Sequence, residues 1–225
     1  MNRFSKILVV FTSFYLCGTV GFAQTRSSLS NLDFELKRDS GLPSFFYVNE
    51  KDIKDGRYKV SVDSIEKHSG KSSLKIEVLE RRKKEKFGIF TGGLLPNECA
   101  GKTVEYRGWI KTKDVKDGYA GLRFGVYEKR KFSFGKHTRY KEVGFDDMRN
   151  RGLKGDTDWT QVSIKMNISE KAAVVNFGGE IRGKGNIWFD NLELYIDGVK
   201  YQSGNASSSD VGCKRASAVD KNAKI

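Results

Sequence analysis

Apolar and polar residues alternate along most of this 225-residue chain, in short runs separated by glycine-rich or charged turns. Between residues 58 and 63, for example, Tyr58, Val60 and Val62 alternate with polar residues. Period-two alternation of this kind predicts half-buried β-strands. By the same criterion, strands are predicted at 31–36, 58–63, 73–79, 87–95, 102–112, 119–127, 159–168, 173–181 and 186–196.

These predicted strands, together with only two prolines and no segment of helical periodicity, indicate an all-β fold. Short strands at close spacing favour an antiparallel β-sandwich of the jelly-roll type, in one domain over residues 30–199. Residues 37–55 are predicted to form a loop anchored by a buried Phe45-Phe46-Tyr47. Residues 128–151 are predicted to form a mobile basic insertion with an irregular strand.

The two ends of the chain differ in composition from the predicted domain. Arg3 and Lys6 precede a short apolar run, and small residues precede a predicted cleavage after Ala23. This pattern predicts a signal peptide over residues 1–23, and so a secreted or periplasmic protein. The apolar run is short for a membrane span and no second run follows it, so no transmembrane segment is predicted. Residues 200–225 are rich in Ser, Asn, Ala and Lys, and a disordered tail is predicted there.

The formal net charge is +13. A basic secreted chain either meets anionic glycans, lipopolysaccharide or nucleic acid, or simply carries a soluble, lysine-rich surface. Nucleic-acid binding is not predicted, because the basic and aromatic residues at 129–140 have no nucleic-acid fold motif beside them. An oxidising compartment permits a disulfide between Cys99 and Cys213. Two cysteines do not make a framework, however, and Cys213 lies in the tail, so the pairing stays open.

Candidate ligand-binding residues lie on the polar sides of the central predicted strands, opposite the apolar sides. In a jelly roll one such face forms a groove, where sugars stack on aromatic rings and hydrogen-bond to Arg, Asn and Glu. Trp109 and Tyr127 are predicted as stacking platforms, and the alternative for Trp109 is packing beneath a loop. The full candidate set comprises Arg107, Trp109, Arg123, Tyr127, Asn176 and Glu180.

Several short stretches follow one another in an order typical of a known family. In this order the chain resembles the galactose-binding-domain-like jelly rolls, specifically the CenC-type carbohydrate-binding modules of families 4, 9 and 22. The segment at 145–151 is similar to a subset in Bacteroidetes secreted proteins, where such a module often precedes an erythromycin-esterase-like or peptidase domain. The stretches that carry the resemblance are 31–35, 41–43, 69–76, 101–102, 108–112, 155–159 and 188–191.

The resemblance implies that the first and last strands pair and hold a structural Ca²⁺ through Glu35 and Asp190. Calcium needs hard oxygen ligands, which carboxylates and the carbonyls of a turn at 69–72 supply. The alternative is a pair of hydrogen-bonded acids. Trp159 and Trp188, in motifs of the same family type, are predicted to be core residues. Asp146 and Asp147 are predicted to cap a turn.

Catalysis is not predicted. His68 and His137 lie in no metal-binding motif and beside no nucleophile elbow. Asp146 with Glu180 is the remaining candidate pair for glycoside hydrolysis, and the sequence does not give the separation that such a pair requires.

The predicted function is therefore a secreted, non-catalytic module that binds poly- or oligosaccharides, anionic glycans among them. One alternative is a module that docks a protein or an anionic surface through residues 128–141. Another is an accessory module of an enzyme encoded in a neighbouring chain. The sequence predicts neither the glycan nor the oligomeric state.

Overall fold

The computed structural model describes residues 28–79, 88–94, 96–130 and 138–201. Among them no helix is long and apolar enough to cross a membrane. A 3₁₀ turn at Ser28–Ser30 precedes the sheet, and two short helices are α1 (Glu50–Lys54) and α2 (Pro96–Cys99). The strands are β1 (Tyr47–Val48), β2 (Tyr58–Asp63), β3 (Ser73–Val78), β4 (Gly88–Leu94), β5 (Thr103–Lys129), β6 (Tyr140–Asp146), β7 (Leu153–Asn167), β8 (Ala172–Ile181), β9 (Lys184–Ile196) and β10 (Val199–Lys200).

All of the strand pairs are antiparallel, which confirms the predicted all-β class. The strands form two halves that share β5. Sheet one has the order β2-β3-β9-β5-β7 and uses the first half of β5. Sheet two has the order β1-β4-β8-β5-β6 and uses the second half of β5.

Strand β5 crosses from one sheet to the other at a bend. Asp114 and Asp117 have φ values of 57° and 60° there, a left-handed conformation that Asp tolerates better than bulkier residues do. The sequence predicted two strands and a turn at this place. Strand β5 instead continues through the bend as one element, because a strand that switches sheets forms the corner of the sandwich.

The core fills the space between the two sheets. Phe90 of sheet two and Phe189 of sheet one have ring centroids 4.8 Å apart, and the rings meet edge to face. Tyr106 crosses the core from sheet one, and its hydroxyl donates to the carbonyl of Gly178 at 3.1 Å. This bond satisfies the one polar group of an otherwise apolar side chain at a fully buried position.

The first predicted strand is wrong. Residues 31–36 form a loop, since Phe34 has a φ of 56° and the buried Asn31 side chain bonds the backbone of Leu36 and Ser44. The two ends of the domain do meet, through a hydrogen bond from the amide of Leu192 to the carbonyl of Leu32 at 2.9 Å. The contact is therefore a single bond and not a strand pair.

Two further expectations need correction, and the irregular strand predicted in the basic insertion is confirmed. The aromatic anchor is buried only at Phe46, because Tyr47 points outward from β1 and is 64% exposed. The loop around it contains α1, whose N-cap Asn49 accepts from the amide of Asp52. In the basic insertion, β6 pairs with the end of β5 to form a hairpin. Residues 131–137 lie outside the described part.

Candidate functional site

The structure divides the six candidate ligand-binding residues between the two sheets. Arg123, Tyr127, Asn176 and Glu180 lie on the outer face of sheet two, on adjacent strands β5 and β8. Arg107 and Trp109 lie on the outer face of sheet one, at the opposite side of the sandwich. The six residues therefore cannot form one site.

Strand β5 explains why sequence alternation grouped them together. All four of its candidates occupy the same alternating set of positions, and each side chain does face away from the core. The strand changes sheets at the bend, however, so "outward" in its first half is the opposite direction from "outward" in its second half. Alternation predicts which side of a strand is buried and carries no information about the layer to which a strand belongs.

The outer face of sheet two, which we call the sheet-two face, is assembled by strand register. Asn176 of β8 lies between Gly93 of β4 and Gly125 of β5, and Gly125 pairs in turn with Phe145 of β6. One row further along, Tyr47, Thr91, Gly178 and Arg123 are successive partners across four strands. Small residues therefore lie between aromatic ones.

Tyr127 lies flat along this face. A Cβ added to Gly125 would lie 3.0 Å from the Tyr127 ring, so the ring covers the glycine, and the side chain as a whole is half-buried. Burial raises the pKa of Tyr127, although the nearby Arg123 cation opposes the shift. The hydroxyl is therefore protonated at neutral pH. Such a ring can stack on a sugar while its hydroxyl donates a hydrogen bond.

Glu180 anchors one end of the face. Its carboxylate is fully buried, and its oxygens accept from Tyr119 (3.0 Å), Arg123 (3.1 Å) and Arg182 (2.7 Å). The Arg123 guanidinium also lies 4.8 Å from the centre of the Phe145 ring. A buried carboxylate needs such partners. Glu180 therefore positions Arg123 and is not itself open to a ligand.

Asn176 contributes a polar side chain to the middle of this face. Its side chain is half-buried, and no hydrogen bond to its amide is found within the described ranges. Gly93 beside it is exposed, and a Cβ there would meet nothing nearer than 3.8 Å. The amide therefore has room for a ligand that needs one donor and one acceptor.

Sequence reasoning missed Tyr47, Tyr119, Phe145 and Arg182 on this face. Tyr119 and Arg182 were detectable as polar positions in phase with Arg123 and Glu180. Tyr47 and Phe145 lie on edge strands that were predicted as loop, so their orientation had no alternation to reveal it.

Asp146 and Asp147 cap the turn after β6, as predicted, because their carboxylates accept from the amides of Met148 and Arg149. Burial acts to raise the pKa of Asp146, but hydrogen bonds from Arg151 and Met148 outweigh it and hold the pKa below the usual range. A glycosidase acid requires a raised pKa. Asp146 therefore lacks the property that this role demands.

On sheet one, Trp109 is half-exposed and stacks on His68, with ring centroids 4.0 Å apart and an interplanar angle of 15°. Trp159 meets His68 edge-on at 5.8 Å and is also half-exposed, so its predicted core position is wrong. Trp188 is buried as predicted. It lies on the outer face, however, where its indole N–H donates to Asp63 beneath Lys75.

Glu35 and Asp190 both bond the connection between β2 and β3. Glu35 accepts from the amides of Lys71 and Ser72, while Asp190 accepts from those of His68 and Ser69. Burial raises the pKa of Asp190, although these amide bonds and the nearby His68 oppose the shift. An adjacent cation would offset that burial cost.

No cluster of three or more His, Cys, Asp or Glu occurs in the described part, so any further calcium ligands there would have to be main-chain or hydroxyl oxygens. Hydrogen bonds alone account for the way Glu35 and Asp190 hold the β2–β3 connection, an arrangement that we call the clasp. The calcium site stays a prediction.

Comparison with known proteins adds little to this geometry. No family model matches the chain. A curated relative from Bacillus subtilis (strain 168), an uncharacterized HTH-type transcriptional regulator YbfP, is 25% identical over 136 residues. That match covers 60% of this chain and 43% of the relative, so the chain spans less than half of its length.

Several solved structures of carbohydrate-binding modules are similar to the chain. A CBM4 structure has a TM-score of 0.47 at 12% identity, over 75% of this chain and 99% of the other. The CBM22-1 xylan-binding domain of Paenibacillus barcinonensis Xyn10C has a TM-score of 0.42 at 17% identity, over 73% and 90%. TmCBM61 in complex with β-1,4-galactotriose has a TM-score of 0.41 at 18% identity, over 76% and 99%.

Proposed function

We propose that this protein is a secreted, non-catalytic carbohydrate-binding module whose ligand lies across the sheet-two face. One observation carries the proposal: strand register places Asn176 and the small Gly93 and Gly125 in one row, beside the half-buried ring of Tyr127. A sugar presents an apolar ring face and a rim of hydroxyls. An aromatic platform beside an available amide matches both features.

The dimensions of the face suit an oligosaccharide better than a single sugar. Tyr47 on β1 and Arg123 on β5 are three strand spacings apart, which is about 14 Å at about 4.8 Å per strand. A ligand that reaches from the exposed Tyr47 ring to the Arg123 and Tyr127 end would span several sugar rings. Arg123 is held in place by Glu180 before any ligand arrives, which lowers the entropic cost of binding.

The absence of catalysis is part of the proposal. Glu180 is engaged by Tyr119, Arg123 and Arg182, and the pKa of Asp146 is held low. Neither carboxyl group has the environment of a proton donor to a glycosidic oxygen. Secretion is supported by the charged, apolar and small-residue pattern at residues 1–23.

The test is a glycan array of neutral, amino and uronic oligosaccharides, probed with the mature protein and followed by calorimetry on the glycans that bind. Tyr127→Ala and Asn176→Ala should each weaken binding by about tenfold or more, as is usual for central contacts. Arg107→Ala is the matched control, because it removes a candidate of similar exposure from the opposite sheet. No glycan bound by the wild type, or equal binding by all three variants, would refute the proposal.

One observation favours a second candidate function, the docking of an anionic surface. The described ends of the β5–β6 hairpin carry four exposed cations, and no ion pair to them is found within the described ranges. Binding through them would weaken steeply with rising sodium chloride. Neutralising them would remove that dependence while leaving the effects of Tyr127→Ala unchanged. The four residues are Lys129, Arg130, Arg139 and Lys141.

A further inference from the structure

The outer face of sheet one carries a depression of about 560 Å³, on the opposite side of the sandwich from the sheet-two face. The N-terminal segment forms one wall, with Leu32 and Asp33, and β9 forms another, with Asn191 and Glu193. Trp109 forms part of the lining. A volume of this size falls within the range of small-molecule sites.

A β-bulge shapes the depression. Between the pairs Arg107–Glu193 and Trp109–Asp190, β9 has two residues, Asn191 and Leu192, where β5 has one, so β9 carries one extra residue. Asn191 has a φ of 45°, a conformation that Asn adopts more readily than most residues. Bulges commonly redirect side chains next to binding sites. Here the Asn191 amide nitrogen bonds the His68 ring and donates to the Ser69 hydroxyl, and Asn191 also lines the depression.

The Trp109 ring is held rigidly before any ligand arrives. His68 stacks on it at 4.0 Å, and the His68 amide donates to the buried Asp190 at 2.8 Å. The His68 ring is fixed further by the Asn191 amide at 2.9 Å. One side of the indole is therefore covered by a fixed imidazole. Rigid aromatic groups give contact area at a small entropic cost.

The polar groups around Trp109 indicate the chemistry of the ligand. Asp33 and Glu193 bring two carboxylates, and Lys200 brings one ammonium group, which donates to Glu193. The rim therefore carries more negative than positive charge and is rich in hydrogen-bond acceptors. Hydroxyl and ammonium groups are attracted by such a rim, and carboxylate groups are repelled.

We propose that this depression, defined by Trp109, Asp33, Asn191, Glu193 and Lys200, is a second sugar-binding site, selective for neutral or amino sugars over uronic sugars. Its chemistry differs from that of the sheet-two face, where Arg123 and the nearby hairpin cations are basic. The two sites face opposite directions, so one protein molecule can connect two glycan chains. The proposal does not depend on binding at the sheet-two face.

The test compares four full-length mature proteins on the same array of neutral, amino and uronic oligosaccharides. They are the wild type, Trp109→Ala, Trp159→Ala, and the double variant Tyr127→Ala/Asn176→Ala. Trp159→Ala is the matched control, since it removes a tryptophan from the same aromatic cluster that does not line the depression. Calorimetry then gives the stoichiometry for any neutral or amino glycan that binds.

We expect the double variant to keep binding a subset of neutral or amino glycans, and Trp109→Ala to lose that subset by about 30-fold. Trp159→Ala should keep it. If Trp109→Ala has a lowered Tm, Trp109→Phe is used instead, because it retains a ring against His68. It should still weaken binding of the same subset of glycans. Loss of every interaction in the double variant, or wild-type binding by Trp109→Ala and Trp109→Phe, would overturn the second site. Wild-type binding by the double variant would instead overturn the sheet-two site.

Discussion

Replacing Glu180 by Gln tests whether the ionic network organises the sheet-two face. The substitution keeps the size of the side chain and removes the charge that Tyr119, Arg123 and Arg182 share. It also places an amide donor among groups that are themselves donors. Because Glu180 is fully buried, solvent cannot replace the lost acceptor.

The magnitude follows from the three hydrogen bonds. A bond to a charged group contributes about 1.5–3 kcal/mol, against about 0.5–1.5 kcal/mol for a neutral one, so each bond loses about 1 kcal/mol. Relief of the buried carboxylate's desolvation returns part of that sum. We expect the free energy of unfolding to fall by about 2 kcal/mol. For a chain of this length the Tm should then fall by about 6 °C.

The assay is urea unfolding of the mature protein followed by circular dichroism. Glu105→Gln is the control, because Glu105 also pairs with an arginine, Arg107, but does so at the surface of sheet one. Its stability should stay near that of the wild type. A double-mutant cycle of Glu180→Gln with Arg123→Ala should show coupling. Equal stability of the two Gln variants, or an additive cycle, would refute the network.

Three other predictions concern the core, the clasp and the buried thiol. Gly179→Ala should lower the free energy of unfolding by about 1–3 kcal/mol, because the added Cβ would lie 2.3 Å from the Phe189 ring. Gly93→Ala is the control, because a Cβ there has open space and should leave the stability unchanged. Equal denaturation midpoints of the two variants would contradict this prediction. Calcium chloride should raise the Tm of the wild type above its value in EDTA, because a bound cation would offset the buried charge of the clasp. The increase in Tm should be smaller for Glu35→Gln. Identical Tm values in the two solutions would refute the calcium hypothesis. Burial raises the pKa of the Cys99 thiol to about 11. After treatment with a thiol reagent at mildly alkaline pH, peptide mapping should therefore find Cys99 unmodified in the native protein and modified in guanidinium chloride. Rapid labelling of the native protein would contradict this, because it would show that the thiol is accessible.

Much of the fold could be predicted because it depends on local alternation. Strands β2, β3, β8 and β9 begin and end close to their predicted bounds, since each packs apolar side chains of one side against the core. The segment at 31–36 shows the limit of this reasoning. It alternates like a strand, but the long-range hydrogen bonds of Asn31 hold it as a loop.

The candidate site was predictable residue by residue but not as an assembly. Arg123, Tyr127, Asn176 and Glu180 were recognised as outward polar or aromatic positions, and register then brings them together. Trp109 was assigned to the same face because nothing in the sequence reveals that β5 changes sheets. Likewise, Asp190 and Asn191 are recognisable in the sequence as two adjacent polar residues that interrupt the apolar positions of the last predicted strand. The bulge that it forms depends on pairing with a strand about eighty residues away.

The central claim is that a glycan lies across the sheet-two face, and amide chemical-shift mapping tests it most directly. The mature protein, labelled with ¹⁵N, would be titrated with the tightest-binding oligosaccharide from the array. We predict the largest shifts at Gly93, Gly125 and Asn176. Shifts confined to sheet one, with these three amides unmoved at saturation, would contradict the account.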